Sequence, residues 1–447
     1  MVRCLLIGFI LLCLPTLVWA EAVTFTQAMH EATTHRPQLQ AAQAMAESAA
    51  QAVGAARSGL LPQLTLHENL AWTNEPAGSV FIALNQQDLT QRDMREAPDS
   101  FNYPPSRKDF ETKLELQQSL YDPRILYGWH RAGKRADQAG ASAEWSVEET
   151  AFAAFAAYLE VQRSRAALDW AQSSLEQATE AARLASERRA SGVGLKADEL
   201  QALVYVSAAQ RQKVTAANNL ELARRRLAVA IGRDGGSVDI AEPLTPDMFC
   251  DKGGDSLEQR ADLQAMSDGV AEAGLALKQA KAAYMPTAFL SASYSLHDPQ
   301  MPLGSEADNW SVGAGLRWEI FDGLRRQHDT AAAESERRAR QAQLSESQRQ
   351  ASYQLDAARL RAEEARLNLE TAKQAVAAAD ESHALFLERY RSGLTELVDL
   401  LQAQSSLDKA RFDLVAAQSQ LILALGSVHY QQGVFTKRLC PKREGMQ

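Results

Sequence analysis

Two aspartates recur at one distance from a serine–glycine pair. Asp198 lies six residues after Gly192 of Ser191-Gly192, Asp399 lies six after Gly393 of Ser392-Gly393, and the two sites are 201 positions apart. A carboxylate at such a place can cap a returning helix. Copied by symmetry around a narrow pore, it would instead form a negative ring that attracts cations and resists anions. These residues alone leave both roles open. Other chemistry is sparse. The eight histidines are scattered with no metal-ligand pair at helical spacing, and no nucleophile elbow, Walker loop or dinucleotide fingerprint occurs. Gly269 to Lys278 has a superficial Gly-rich look, but Gly274 is followed by Leu275 within a helical pattern. The sequence points away from catalysis and requires no cofactor and no metal.

The elements that must position these aspartates come from an internal duplication. His35-Arg-Pro-Gln-Leu-Gln-Ala matches Gln259-Arg-Ala-Asp-Leu-Gln-Ala, and the same offset of 224 carries Pro62 onto Pro286. Leu120-Tyr121-Asp122 matches Ile320-Phe321-Asp322 at an offset of 200, the smaller value reflecting a longer loop in the first half. Pro, Asp and Gly matches lie outside the Ala-rich bias of helices, so they mark a repeat. Each half reads as helix, strand, loop, strand, very long helix, glycine-marked turn and shorter helix. Gly323 and Gly393 enclose 69 positions with neither Gly nor Pro. A helix of that length spans on the order of 100 Å. Its counterpart runs from Ile125 to Ser191, and the return helices from Leu195 to Ile231 and Leu394 to Leu425. Helices this long imply coiled-coil packing against neighbours.

Four segments alternate with period two: about 63–72, 110–120, 287–296 and 310–321. Leu64, Leu66, Leu70 and Trp72 form one apolar row, which Glu68 breaks; Trp310, Val312, Ala314, Leu316, Trp318 and Ile320 form another. Each runs about ten residues, the length of a tilted membrane strand, and aromatics such as Trp72, Tyr121, Trp310 and Phe321 stand near the ends. Four strands cannot close around an aqueous pore, so the sheet must be shared among subunits. The loop from Thr73 to Asp109, with Pro104-Pro105, reads as irregular.

The first twenty residues read as an export signal: Arg3, an apolar run from Cys4 to Leu14, then Val18-Trp19-Ala20 with cleavage after Ala20, Ala22 being the second choice. The run is shorter than a spanning helix needs. Cys4 and Cys13 leave with this segment. Cys250 and Cys440 remain in a compartment that permits disulfides, either bonded or as two buried thiols. The formal charge of −9 contains no dense basic cluster, which sets nucleic acid aside. The domain reading is therefore a signal (1–20), a first repeat (21–250, long helices about 123–231), a second repeat (251–430, long helices about 323–425) and a C-terminal periplasmic tail (431–447).

The duplicated order, the strand-ending Leu120-Tyr121-Asp122 and Ile320-Phe321-Asp322, and the turn segment from Arg389 to Ala403 resemble the TolC-like outer-membrane efflux proteins over essentially the whole mature chain. The resemblance implies a mainly α fold with membrane β-strands. Three subunits would form a twelve-stranded barrel in outer-membrane lipid, continuous with a long α-helical barrel in the periplasm. It also implies a passive, gated exit duct for drugs or metal ions, working with a periplasmic adaptor and an inner-membrane transporter; a type I protein-secretion duct is the alternative. On this likeness Asp399 lines the constriction with Asp198 as its repeat mate, and Gln402 stands where some members carry a second Asp. Ser191, Gly192, Ser392 and Gly393 form the tip turns that would dock the adaptor. A periplasmic adaptor or a structural coiled-coil protein are rival readings, but the first would have one hairpin and the second would need no strands.

Overall fold

A computed structural model describes residues 21–96, 98–249, 257 and 260–439. In chain order the elements are β1 (Glu21–Val23), α1 (Phe25–His35), α2 (Pro37–Ser58), β2 (Gln63–Thr73), α3 (Pro76–Asn85), α4 (Gln91–Glu96) and β3 (Arg107–Tyr121). Then come α5 (Pro123–Ala190), α6 (Lys196–Ala230), β4 (Val238–Ile240), α7 (Ala261–Ala282), β5 (Thr287–Asp298), β6 (Ala307–Arg317), α8 (Arg325–Arg391), α9 (Leu397–Gln431) and α10 (Phe435–Arg438).

The two long helices have local starts and stops. Asp122 Oδ1 accepts from the Arg124 amide at 2.9 Å, and Asp322 Oδ2 accepts from the Arg326 amide at 3.1 Å. The Asp of each repeated tripeptide is thus a helix cap. Each hairpin ends on glycine in the left-handed region: Gly192 at φ 77° after α5, Gly232 at 83° after α6, Gly393 at 76° after α8 and Gly433 at 72° after α9. All four carry paired backbone bonds of one type, such as Val193 N to Arg188 O at 3.0 Å and Leu394 N to Arg389 O at 2.8 Å. Glycine fits there because a side chain disfavours positive φ. The second return helix does not stop at Leu425. It runs six residues further, through Gly426, where an added Cβ would sit 2.4 Å from the Phe155 ring. Gly426 is a close-packing position, and Gly433, 201 residues after Gly232, is the true mate.

The chain divides into two compact units, each drawing on both repeats. One comprises the described residues of Met1–Ala41, Glu144–Arg260 and Gln350–Gln447. Its main core gathers Val23, Ala28, Phe155, Tyr158, Leu227, Ile231 and Phe435, with the Phe155 and Phe435 rings tilted at 52° and 5.1 Å between centroids. Burying each such aromatic contributes on the order of 2–3 kcal/mol. Strands β1 and β4 pair in parallel beside it. Asp239 of β4 is held by Arg165 and Arg224; burial works against its ionisation, but these bonds keep its carboxyl below the usual range.

The other unit, Ala42–Ala143 with Ala261–Arg349, contains an antiparallel sheet of order β2-β3-β5-β6. Register sets its two faces. Leu64–Leu116–Ala292–Val312 and Leu66–Leu114–Tyr294–Trp310 run across one face, while Thr65–Glu115–Ser293–Ser311 and Asn69–Glu111–His297 run across the other. The apolar face is open: Leu64, Leu66, Leu70, Trp72, Trp310, Val312 and Leu316 are all exposed. Among the described residues each edge strand, β2 and β6, has one free edge.

Two expectations change. The fourth strand ends at Arg317, not near Phe321, because its pairing partner begins at Thr287 after Pro286, which has no N–H to offer. Beyond it Arg326 takes the Ile320 carbonyl at 3.2 Å and Trp318 Nε1 bonds Tyr284 O at 3.0 Å, turning the chain into α8. The loop from Thr73 to Asp109 is not irregular throughout: it holds α3 and α4. Pro76 opens α3 at a position where its missing N–H costs nothing, and Ile82 and Ala83 are buried.

Candidate functional site

The glycine turns set the first side chains of α6 and α9. Asp198 and Asp399 each stand at the third residue of the return helix, in its first turn. There a carboxylate favourably meets the positive end of the helix dipole. Asp399 is exposed, and Thr395 Oγ1 donates to its Oδ2 at 2.8 Å. Asp198 is half-buried, and its repeat mate for Thr395 is Gly194, which has no hydroxyl to give. Gln402 is exposed one turn after Asp399. Ser191 and Ser392 return their hydroxyls to helix-end carbonyls, Ser191 to Glu187 O at 2.9 Å and Ser392 to Glu388 O at 3.0 Å. Exposed apolar side chains flank the turns: Val193 and Leu195 on the first, Leu394 and Val398 on the second.

The two turns belong to one packed cluster. Ala181 and Ala185 of α5, Ala202 of α6, Tyr390 of α8, and Leu397, Leu400 and Leu401 of α9 are buried together. Arg188 fastens it. Its Nη1 donates to Tyr390 O at 3.0 Å, and its guanidinium lies 4.7 Å over the Tyr390 ring. A cation on the last carbonyls of α8 also meets the negative end of that helix. Burial raises the Tyr390 phenol, Arg188 opposes the rise and Asp198 adds to it.

A polar seam lies along the same helices. Ser174 Oγ and Gln404 Nε2 donate to Asp408 at 2.8 and 2.7 Å, Gln404 also meets Gln177, and Arg411 bonds Asp380 at 2.7 Å. Burial pushes the Asp408 carboxyl up, against its hydrogen bonds and the nearby Arg411 and His383. Burial also lowers His383.

The sequence placed Asp198 and Asp399 in one region through the repeat, but Arg188, Tyr390 and Asp408 were missed. Arg188 and Tyr390 lie 202 residues apart, and no local pattern joins them. Cys250 and Cys440 lie outside the described residues; Phe249 and Leu439, which precede them, form an antiparallel bridge. Among the described residues no three His, Cys, Asp or Glu side chains are placed to share a metal ion, and no helix is long and apolar enough to cross a membrane.

Comparison with known proteins gives this geometry its setting. The chain is 22% identical over 322 residues to nodulation protein T of Rhizobium leguminosarum bv. trifolii, covering 67% of this chain and 69% of that protein. Its fold matches the Campylobacter jejuni CmeC outer membrane channel, with a TM-score of 0.79 at 15% identity over 92% of this chain and 85% of that one. It also matches the open-state Neisseria gonorrhoeae MtrE outer membrane channel, at 0.77 and 18% over 92% and 88%. The family model described as outer membrane efflux protein matches residues 28–233 and 253–428, one block in each half. The chain belongs to the outer membrane efflux protein family, and is an outer-membrane channel protein of efflux transport.

Proposed function

We propose that three copies of this chain close one twelve-stranded barrel and form a passive duct with its gate at the Asp399 and Asp198 turns. The observation that carries the proposal is the four-stranded sheet, with one apolar face, one polar face and two unpaired edges, β2 and β6. An exposed apolar face of this extent suits lipid, and a polar face suits a water-filled lumen. Unpaired edges inside a bilayer are not tolerated, so β6 of one copy must pair with β2 of the next. Three copies of Asp399, exposed and held by Thr395, then give a negative ring that Gln402 does not double. The Arg188–Tyr390 contact supports a closed resting turn.

The exposed apolar side chains at the turns suit a periplasmic adaptor, and the energy for transport comes from an inner-membrane transporter. The cargo is small, a drug or a metal ion; protein secretion of type I is the second reading. Cys250 and Cys440 pair in this proposal, supported by the bridge between Phe249 and Leu439, and non-reducing peptide mapping tests the bond. Fractionation with chemical cross-linking tests the whole: a covalent trimer in the outer membrane is expected, and recovery of monomer in the soluble periplasmic fraction would overturn the duct.

A further inference from the structure

The helix α3 lies on the polar face of the sheet, and four consecutive residues at its end are tied to strands. Asn85 O accepts from Asn309 Nδ2 at 3.2 Å. Gln86 Nε2 donates to Lys108 O at 2.8 Å and to Asp109 Oδ1 at 3.0 Å. Gln87 Nε2 donates to Asp308 O at 3.1 Å, and Asp88 pairs with Arg107 at 2.7 Å. The partners belong to β3 and β6, at the end where the β2–β3 and β5–β6 loops emerge.

Two details show that this placement is built in. Gln87 holds a left-handed backbone, φ 56°, where helices usually end on Gly or Asn, and in that conformation its side chain reaches Asp308. Beneath the helix, Asp109 Oδ2 and His297 Nδ1 meet at 2.8 Å with side chains only 6% and 4% exposed. Asp109, Ser295, His297 and Ala307 are buried and all belong to the polar face. A water-lined face would leave them wet; here α3 packs on β3 and β6 at that end, with Gln86 bonded directly to Asp109. The opposite stripe of α3, Ala77, Phe81 and Leu84, is exposed and apolar.

We propose that α3 is a clasped lid over the outer mouth of the barrel, with the Phe81 and Leu84 stripes of three copies meeting near its axis. This rests on the trimeric barrel proposed above. Twelve strands about 4.8 Å apart and tilted about 40° enclose a ring roughly 24 Å across. Three helices, each about 10 Å wide with side chains, need roughly 22 Å, so three lids on the polar face leave almost no free passage. An apolar constriction of this kind resists water and ions and yields when cargo displaces it. The duct therefore has a second barrier, independent of Asp399, and Gln86 and Gln87 hold it shut.

The test uses the full chain in intact cells, with cysteines added on each face of the sheet. Ser293→Cys, on the polar face, should react with N-ethylmaleimide but not with a bulky polyethylene-glycol maleimide added outside. Adding Gln86→Ala and Gln87→Ala should bring bulky labelling up to the level of the small reagent. Bulky labelling of Ser293→Cys with the lid residues intact would overturn the lid. Separately, oxidation of a Phe81→Cys protein should give covalent dimers between copies, and a protein that stays monomeric on the gel would overturn the convergence of the stripes. Val312→Cys, on the apolar face, guards the underlying reading. If Val312→Cys reacts readily with small charged maleimides while Ser293→Cys does not, the barrel has failed rather than the lid.

Discussion

The first hairpin turn and the second share a serine, a left-handed glycine and an aspartate at one spacing, yet they hold that aspartate differently. In the second, Thr395 donates to Asp399 and leaves the carboxylate in the open. In the first, Gly194 replaces the threonine, and an added Cβ there would lie 2.8 Å from the Arg189 amide nitrogen. The first turn is folded against its own helix end, while the second has room for a side chain. Duplication thus gives equal spacing but unequal surroundings: Asp399 is exposed and Asp198 half-buried.

The sharpest way to break this contrast is at the charge itself. Asp399→Ala should lower cation over anion permeability in planar bilayers several-fold, Asp198→Ala less, and the double variant most. Equal effects from the single variants would erase the asymmetry. The next contrast lies between Gly426 and its repeat mate Arg225, a surface residue. Gly426→Ala drives a methyl into the Phe155 ring and should destabilise by about 1–3 kcal/mol. Arg225→Ala should stay within about 0.5 kcal/mol, both read from denaturant midpoints.

Exchanging the turns gives a smaller effect. Thr395→Gly removes one hydrogen bond and should cost about 1 kcal/mol. Gly194→Thr, which forces backbone to move, should cost more, and protease cleavage at each turn reports the local loss. The smallest effect is a pH dependence. Because burial raises the folded-state Asp408 carboxyl above its unfolded value, its contribution is most favourable at low pH, where it is neutral in both states. That contribution is lost as pH rises through the raised value. The melting temperature of the native protein relative to an Asp408→Asn variant should therefore fall from acidic to neutral pH. A flat difference would mean that Asp408 is solvated in the assembly.

Features whose cause is local were legible in the sequence. Gly192 and Gly393 were legible as turns because only a few local bonds decide them, whereas Asp122 and Asp322 were legible as a repeated strand-ending position and their capping bonds came from the structure. Face alternation was legible too, since a strand's pleat is a property of neighbours. What escaped depended on distant partners. The fourth strand stops at Arg317 because its partner β5 begins only at Thr287, after Pro286. α3 was hidden because Pro and Asn in its flanks masked a short apolar run whose bonds lie on β3 and β6. The sequence pattern stops the second return helix at Leu425, just before Gly426, and only Phe155, far back in the chain, explains why a glycine is there.

The unpaired strands β2 and β6 have a consequence for biogenesis. A lone subunit carries an open hydrogen-bonding edge on each side of a sheet whose one face is lined with leucine and tryptophan, a combination that templates aggregation in water. Insertion into lipid hides the face but not the edges, and association of two copies still leaves two edges free. In the proposed trimer only the third copy closes the ring. Maturation of this protein should therefore be steeply concentration-dependent, with intermediates that are either escorted by a holdase or quickly degraded.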